Sequence, residues 1–224
     1  MLGRKTLLFK LRFQFFLCVQ LMILFGPLLV PRDFNESVFT PILFLINIVA
    51  GINLLSKSRF LFWFFTLHFF VLLVIFGYGL VVKMNELSMI SRFALYFIFY
   101  VTISMEIVRQ VLNAKFVDSN VILGLMCGYV ALGFLGFFFF MSIELLNPGA
   151  FKGVLVSSEN FYLKADSIMY YSFITLLTIG YGEIVPTIPI AQKAAILIGL
   201  CGQFYMVIVT AVVIEKYIRN NTTQ

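Results

Sequence analysis

Charge is scarce in this chain. Of 224 residues only 12% are Asp, Glu, Lys or Arg, and there is one histidine and one tryptophan. The three cysteines, Cys18, Cys127 and Cys201, each lie inside an apolar run. These shortages exclude several classes. An enzyme that ligates a metal or moves protons needs clustered His, Cys or carboxylate side chains, and the apolar stretches hold none. A disulfide framework needs paired cysteines, so these three read as small buried residues. His68, inside an apolar stretch, reads as a packed neutral ring. The net charge of +6 does not point to nucleic acid, because no basic stripe lies outside the apolar runs.

Apolar surface is what the chain has in excess. Hydrophobic residues make up 62% of it and the mean hydropathy is +1.03. A soluble domain of this size cannot hide so much apolar area, so most of it must face lipid or other membrane helices. Six stretches are long enough to span: Phe13–Val30, Phe39–Leu55, Phe60–Val82, Phe93–Leu112, Val121–Ile143 and Ala194–Ile214. Each approaches the ~20 residues that cross a ~30 Å hydrocarbon layer. Pro41 suits the first turn of the second. Arg4, Lys5, Lys10 and Arg12 precede the first stretch as in a signal peptide, but no Ala-x-Ala-like site follows, so a retained first helix is expected. The expected fold class is all-α and integral to the membrane. Residues 1–115 form a peripheral four-helix domain and residues 116–224 a second domain.

A seventh element, Ser167–Thr178, is too short to cross. Asp166 or Ser167 is the expected N-cap. A half-helix followed by irregular backbone is tolerated at membrane depth only where protein encloses it or it lines water, so this is read as a re-entrant loop. With both termini inside, the inner loops hold 10 Lys and Arg against 6 outside, which favours cytoplasmic termini and puts the loop outside. Asn35-Glu36-Ser37 and Asn221-Thr222-Thr223 fit the glycosylation pattern, the second on the cytoplasmic side.

The loop ends in Thr178-Ile179-Gly180-Tyr181-Gly182, then Glu183-Ile184-Val185-Pro186. Glycines on either side of a tyrosine allow backbone that a Cβ would obstruct, with the carbonyls turned to one side. Four such strands around an axis give stacked oxygen rings that can replace the water of a dehydrated potassium ion. One strand cannot enclose an ion, so a homotetramer is expected.

The string Tyr171-Ser172-Phe173-Ile174-Thr175-Leu176-Leu177-Thr178-Ile179-Gly180-Tyr181-Gly182-Glu183-Ile184-Val185-Pro186 closely resembles the pore signature of tetrameric potassium channels, in the type with six transmembrane helices and one pore loop per subunit. The resemblance covers roughly the last 100 residues. It implies passive K+ conduction across the cell membrane, with K+ as the permeant ligand at Thr178, Ile179, Gly180 and Tyr181 and no cofactor. Tyr181 would turn away from the axis and pack behind the selectivity filter. Glu183 would stand at the outer mouth where aspartate is more usual. Ile174 replaces a glutamate found in some members, so no carboxyl pair is expected behind the filter. Tyr170 and Tyr171 occupy positions of an aromatic cuff, and Glu144 matches a region where a glutamate braces the filter.

Counting from the filter as in that family puts Gln203, Met206, Thr210, Ala211 and Ile214 on the inner cavity, with Gly199 and Gly202 as possible hinges or close-packing points. The resemblance does not extend to voltage sensing. A sensor needs several arginines at three-residue spacing, since one charge yields only about 2.3 kcal/mol per 100 mV. The fourth stretch offers Arg92 at its outer end and Arg109 near its inner end, and Glu106 with Arg109 reads as a local ion pair. Steep voltage gating is therefore not expected. Phe76-Gly77-Tyr78-Gly79 repeats the tripeptide without the threonine, half-helix or acidic exit, and reads as helix packing. A membrane enzyme or receptor lacks support in the side chains, and a secondary transporter would need an inverted counterpart of the loop in the first half.

Overall fold

The computed structural model describes residues 11–31, 34, 38–55, 59–81, 86–114, 118–153, 156 and 160–222. The expected basic anchors Arg4, Lys5, Lys10, Arg32, Lys57, Lys83 and Lys115, and the pattern Asn35-Glu36-Ser37, lie outside the described residues.

The described chain is helical apart from two short strands. Helix α1 (Arg12–Phe25) continues as a 3-10 turn over Gly26–Leu29, and Pro31 then prevents its extension. Helix α2 (Thr40–Leu55) carries Pro41 in its first turn, as expected. Next come α3 (Arg59–Val81), α4 (Glu86–Leu112) and α5 (Ser119–Leu146). Asp118 starts α5, its carboxylate accepting from Val121 N at 3.0 Å. Strand β1 (Phe151–Lys152), helix α6 (Phe161–Leu176), strand β2 (Val185–Pro186) and helix α7 (Pro189–Phe204) follow. A π-helical segment, Tyr205–Val209, joins α7 to α8 (Thr210–Thr222). Among the described residues, five apolar helical stretches are long enough to cross a membrane: Arg12–Leu29, Arg59–Gly79, Leu87–Leu112, Ser119–Leu146 and Pro189–Ile218. Helix α2 is apolar but has only 16 residues, about 24 Å of rise.

The chain divides into two compact units. One comprises Met1–Met84, Thr102–Val130 and Val212–Gln224. Here α1 packs on α2 and α2 on α3, around the fully buried Phe16, Ile48, Leu54 and Phe65. Polar side chains in this core bond to backbone. Gln20 donates to Cys127 O at 3.4 Å, the Cys127 thiol to Phe13 O at 3.1 Å, and Gln110 to Leu54 O at 2.9 Å. Cys127 is buried as expected, but Cys18 is exposed on α1, so the expectation for that residue is corrected. Its run is apolar all round, and the pattern did not reveal which side faces inward. The expected Glu106–Arg109 ion pair is present at 3.7 Å. His68 is buried, with Phe65 at 5.4 Å between ring centres. The Lys216 ammonium donates to the carbonyls of Leu112 and Ala114, where the negative end of the α4 dipole favours a cation. Gly77 and Gly79 lie inside α3, so the repeated tripeptide is helical. A Cβ on Gly77 would meet nothing within 4 Å, so no neighbour packs on that glycine inside this unit.

The second unit comprises Asn85–Val101 and Ala131–Ala211. Aromatic rings join its part of α4 to its part of α5. Tyr96 stacks on Phe138 at 5.0 Å, and Tyr100 lies 5.4 Å from Phe134 and 5.3 Å from Phe138. Tyr100, Phe134 and Phe138 are buried, so these rings form the apolar packing between the two helices. Arg92, expected to flank the fourth span, is instead inside α4, which begins at Glu86.

Candidate functional site

Helix α6 positions the site. It starts six residues before the expected Ser167, and its N-cap is Asn160 rather than Asp166 or Ser167. The Asn160 side chain accepts from the backbone N–H of Tyr162 at 2.9 Å and Leu163 at 3.4 Å. Ser167 is buried mid-helix and donates to Leu163 O at 2.8 Å. The helix lies against α5 through two glycines. Ser172 donates to Gly133 O at 2.7 Å, and the Phe173 ring meets Phe134 edge-on at 5.5 Å. Tyr171 is buried between Phe140 and Phe151, whereas Tyr170 is exposed.

The helix ends at Leu176, and the chain then bends back on its last turn. Thr178 N–H donates to Thr175 O at 3.0 Å, and the N–H groups of Ile179 and Gly180 both donate to Ile174 O, at 2.9 and 3.4 Å. Gly180 and Gly182 have φ of 55° and 94°, as the steric reading required. Thr178 also has positive φ, 58°, and is the one non-glycine to do so among the described residues. A β-branched residue there is strained, and no residue beside it announces that strain. Left-handed residues at 178, 180 and 182 alternate with negative φ at Ile179 and Tyr181. Such alternation gathers successive N–H groups on one side of the chain and leaves the carbonyls on the other. Here the N–H side faces the end of α6.

Residues 178–183 are exposed in the single chain. Tyr181 is 73% exposed, so the packing expected behind the strand is absent within its own chain. Glu183 is hydrogen-bonded to Tyr170, and that bond is the main cause of the Tyr170 phenol being pushed up to about 12. The Glu183 carboxylate thus reaches a side chain of α6. Ile174 is buried, with no carboxyl beside it in sequence.

The segment that follows Gly182 is fastened from α5. Glu144 is 3% exposed. It accepts from the N–H of Gly149 at 3.0 Å and Phe151 at 3.1 Å, and from the Lys164 ammonium at 3.3 Å. Glu144 therefore braces the loop after α5 and the first turn of α6, one step removed from the strand itself. The loop carries the brace onward, since β1 pairs antiparallel with β2, Phe151 opposite Pro186. Thr187 closes the pairing, its N–H donating to Ala150 O at 2.8 Å and its hydroxyl to Gly149 O at 2.7 Å. A Cβ on Gly153 would come within 2.8 Å of Glu183 O, so the loop backbone lies directly on residue 183. Gly153, Lys164 and Thr187 are spread over 35 residues that run from loop through α6 to β2, and nothing in their spacing marked them.

Below the strand, α7 comes close. A Cβ on Gly202 would lie 2.4 Å from Leu176 O, whereas one on Gly199 would be 4.0 Å from Thr175 O. Helix α7 passes through both glycines unbroken; the irregular geometry lies lower, at Tyr205–Val209. Gln203 donates to the Thr178 hydroxyl at 3.3 Å, and that hydroxyl donates to Leu177 O at 2.7 Å. Gln203, Met206, Ala211 and Ile214 are exposed and Thr210 half-buried. No group of His, Cys, Asp and Glu suited to a metal occurs among the described residues.

No curated protein and no solved structure matches this chain. Residues 128–219, from the middle of α5 through the strand and into α8, match the family described as "Ion channel", and that match supports an ion channel.

Proposed function

We propose that the chain is one subunit of a homotetrameric, potassium-selective channel that conducts K+ passively across the cell membrane. The observation that carries this reading is the alternation of positive φ at Thr178, Gly180 and Gly182. It leaves a line of carbonyls on an exposed strand, held from behind by the end of a helix. Four copies about one axis would supply stacked oxygen rings matched to a dehydrated monovalent cation. The α6 dipole, negative at its C-terminal end, favours a cation beside that end. The exposure of Tyr181 fits the same arrangement, because a neighbouring subunit would cover the ring.

In this reading the six apolar segments α1–α5 and α7–α8 span the bilayer, α6 is re-entrant, and both termini are cytoplasmic. Gln203, Met206, Thr210, Ala211 and Ile214 line the inner cavity, and Glu183 adds negative charge at the outer mouth. Lipid surrounds the assembly, K+ is the permeant species, and neither a cofactor nor nucleic acid takes part. A single arginine within the inner half of α4 gives a shallow voltage response at most.

The test is cation flux from liposomes carrying the purified protein. Potassium and rubidium efflux should greatly exceed sodium efflux, and Tyr181→Asp with both glycines kept should weaken that preference. Equal sodium and potassium flux in the unmodified protein would overturn the proposal, as would a functional monomer.

A further inference from the structure

We infer that Gln203 is a positioning residue for the innermost oxygen ring of the pore, acting through Thr178; this rests on the channel reading above. Thr178 is the strained point of the strand, a β-branched residue held at φ 58°. Its contacts with its own loop are the N–H bond to Thr175 O and the hydroxyl bond to Leu177 O at 2.7 Å. The contact from another element is the Gln203 amide, at 3.3 Å.

The geometry is that of a directed relay. The amide N–H of Gln203 donates to the hydroxyl oxygen, which leaves the hydroxyl proton committed to Leu177 O. A hydroxyl has two acceptor lone pairs. One is taken by the amide, so the other remains for a cation, and its direction is set by where the amide stands. A hydroxyl without the amide donor would be free to rotate, and its lone-pair directions would not be fixed. Gln203 thus fixes the polarity of the ring as well as its place.

Helix α7 cannot drift from this position without breaking a second contact. Gly202, the preceding residue, lies so close to Leu176 that a Cβ would fall 2.4 Å from its carbonyl oxygen. The two neighbours therefore seat the helix against both the end of α6 and the start of the strand. Immediately below lies the π-helical segment Tyr205–Val209, a rare geometry that is frequent at functional sites.

The experiment is block of potassium current by barium applied from the inner side, because this divalent ion has nearly the radius of K+ and reports the innermost ring. It is measured on the full-length tetramer in planar bilayers for the unmodified protein, Gln203→Leu, Thr178→Val and the double variant. Each single variant should weaken barium block about 2- to 10-fold, the range for one hydrogen bond. The double variant should be no weaker than Thr178→Val alone, since both changes remove the same contact. Tetramer assembly by size is scored alongside, and Thr178→Ser, which keeps the hydroxyl, should retain the Gln203→Leu effect. Unchanged block in an assembled Gln203→Leu channel that still prefers K+ overturns this inference and leaves the channel reading standing. Additive effects in the double variant also overturn it. Absence of K+-selective current in the unmodified protein overturns the channel reading instead.

Discussion

The Ser172 hydroxyl donates to the carbonyl of Gly133 at 2.7 Å, in a hollow where α5 has no side chain. A Cβ added to Gly136 would fall 2.4 Å from the Ser172 oxygen, and one added to Gly133 would fall 2.2 Å from the Phe173 ring. The close seat of α6 on α5 therefore depends on two missing methyl groups.

Gly136→Ala should destabilise the protein by about 1–3 kcal/mol, the usual range for overpacking. Adding Ser172→Ala should recover part of that loss, because the second change vacates the contested space at the expense of a hydrogen bond worth about 1 kcal/mol. Thermal unfolding in detergent or nanodiscs measures both. Strict additivity of the two substitutions would count against a shared hollow.

Glu144→Ala should cost about 3 kcal/mol, because it leaves two backbone donors and the Lys164 ammonium without their acceptor. Glu144→Gln, which keeps one acceptor oxygen, should fall between. Hydrogen exchange gives the local reading: the amides of Gly149 and Phe151 should exchange faster in Glu144→Ala while amides in α5 stay protected. A uniform rise would mean that the carboxylate does not act on the loop.

The two Gly-Tyr-Gly tripeptides should respond in opposite ways to alanine. Gly180→Ala and Gly182→Ala place a Cβ on backbone with φ of 55° and 94°, and each should cost about 1–2 kcal/mol and impair K+ preference. Gly77→Ala meets open space inside a helix. It should gain about 0.5–1 kcal/mol and leave ion preference unchanged. Loss of selectivity in Gly77→Ala would contradict the assignment of the filter to residues 178–182.

Tyr170 gives a pH signature. Its phenol is pushed up to about 12 from an ordinary value of 10, first by its hydrogen bond to Glu183 and then by desolvation. The folded protein holds this proton more tightly than the unfolded chain. The stabilisation is thus full below pH 10 and is lost as pH rises toward about 12. Absorbance titration near 295 nm should show one late tyrosine that disappears in Tyr170→Phe. In Glu183→Gln it should move back toward its ordinary value. A late component that survives both changes would belong to another residue.

Sequence alone carried much of this structure, because the signals concerned were local. Gly180 and Gly182 announce positive φ by lacking a Cβ, and long apolar runs announce helices. The start of α6 was misread for a local reason too. Asn160, Asp166 and Ser167 can all cap a helix, and Phe161-Tyr162-Leu163 between them carries no breaker to choose among them. What was not legible depends on partners distant in the chain. Thr178 is strained because the end of α6 and Gln203 hold it, and no residue near it says so. The π-helical turn at Tyr205–Val209 lies in an apolar run that an ordinary α-helix would accommodate equally well. Glu144 could be singled out as a lone carboxylate at a helix end, but its targets at Gly149 and Phe151 became definite only when the loop folded back over it.

Helix α5 runs without interruption over 28 residues, about 42 Å of rise, whereas the oily layer it traverses measures ~30 Å. A rod of that length must slant, protrude or thicken the film around it. Since Gly133 and Ser172 rivet α6 to this same rod, a lean imposed by lipid tails is carried to α6 and to the residues that follow it, and membrane thickness becomes one of the forces acting on them.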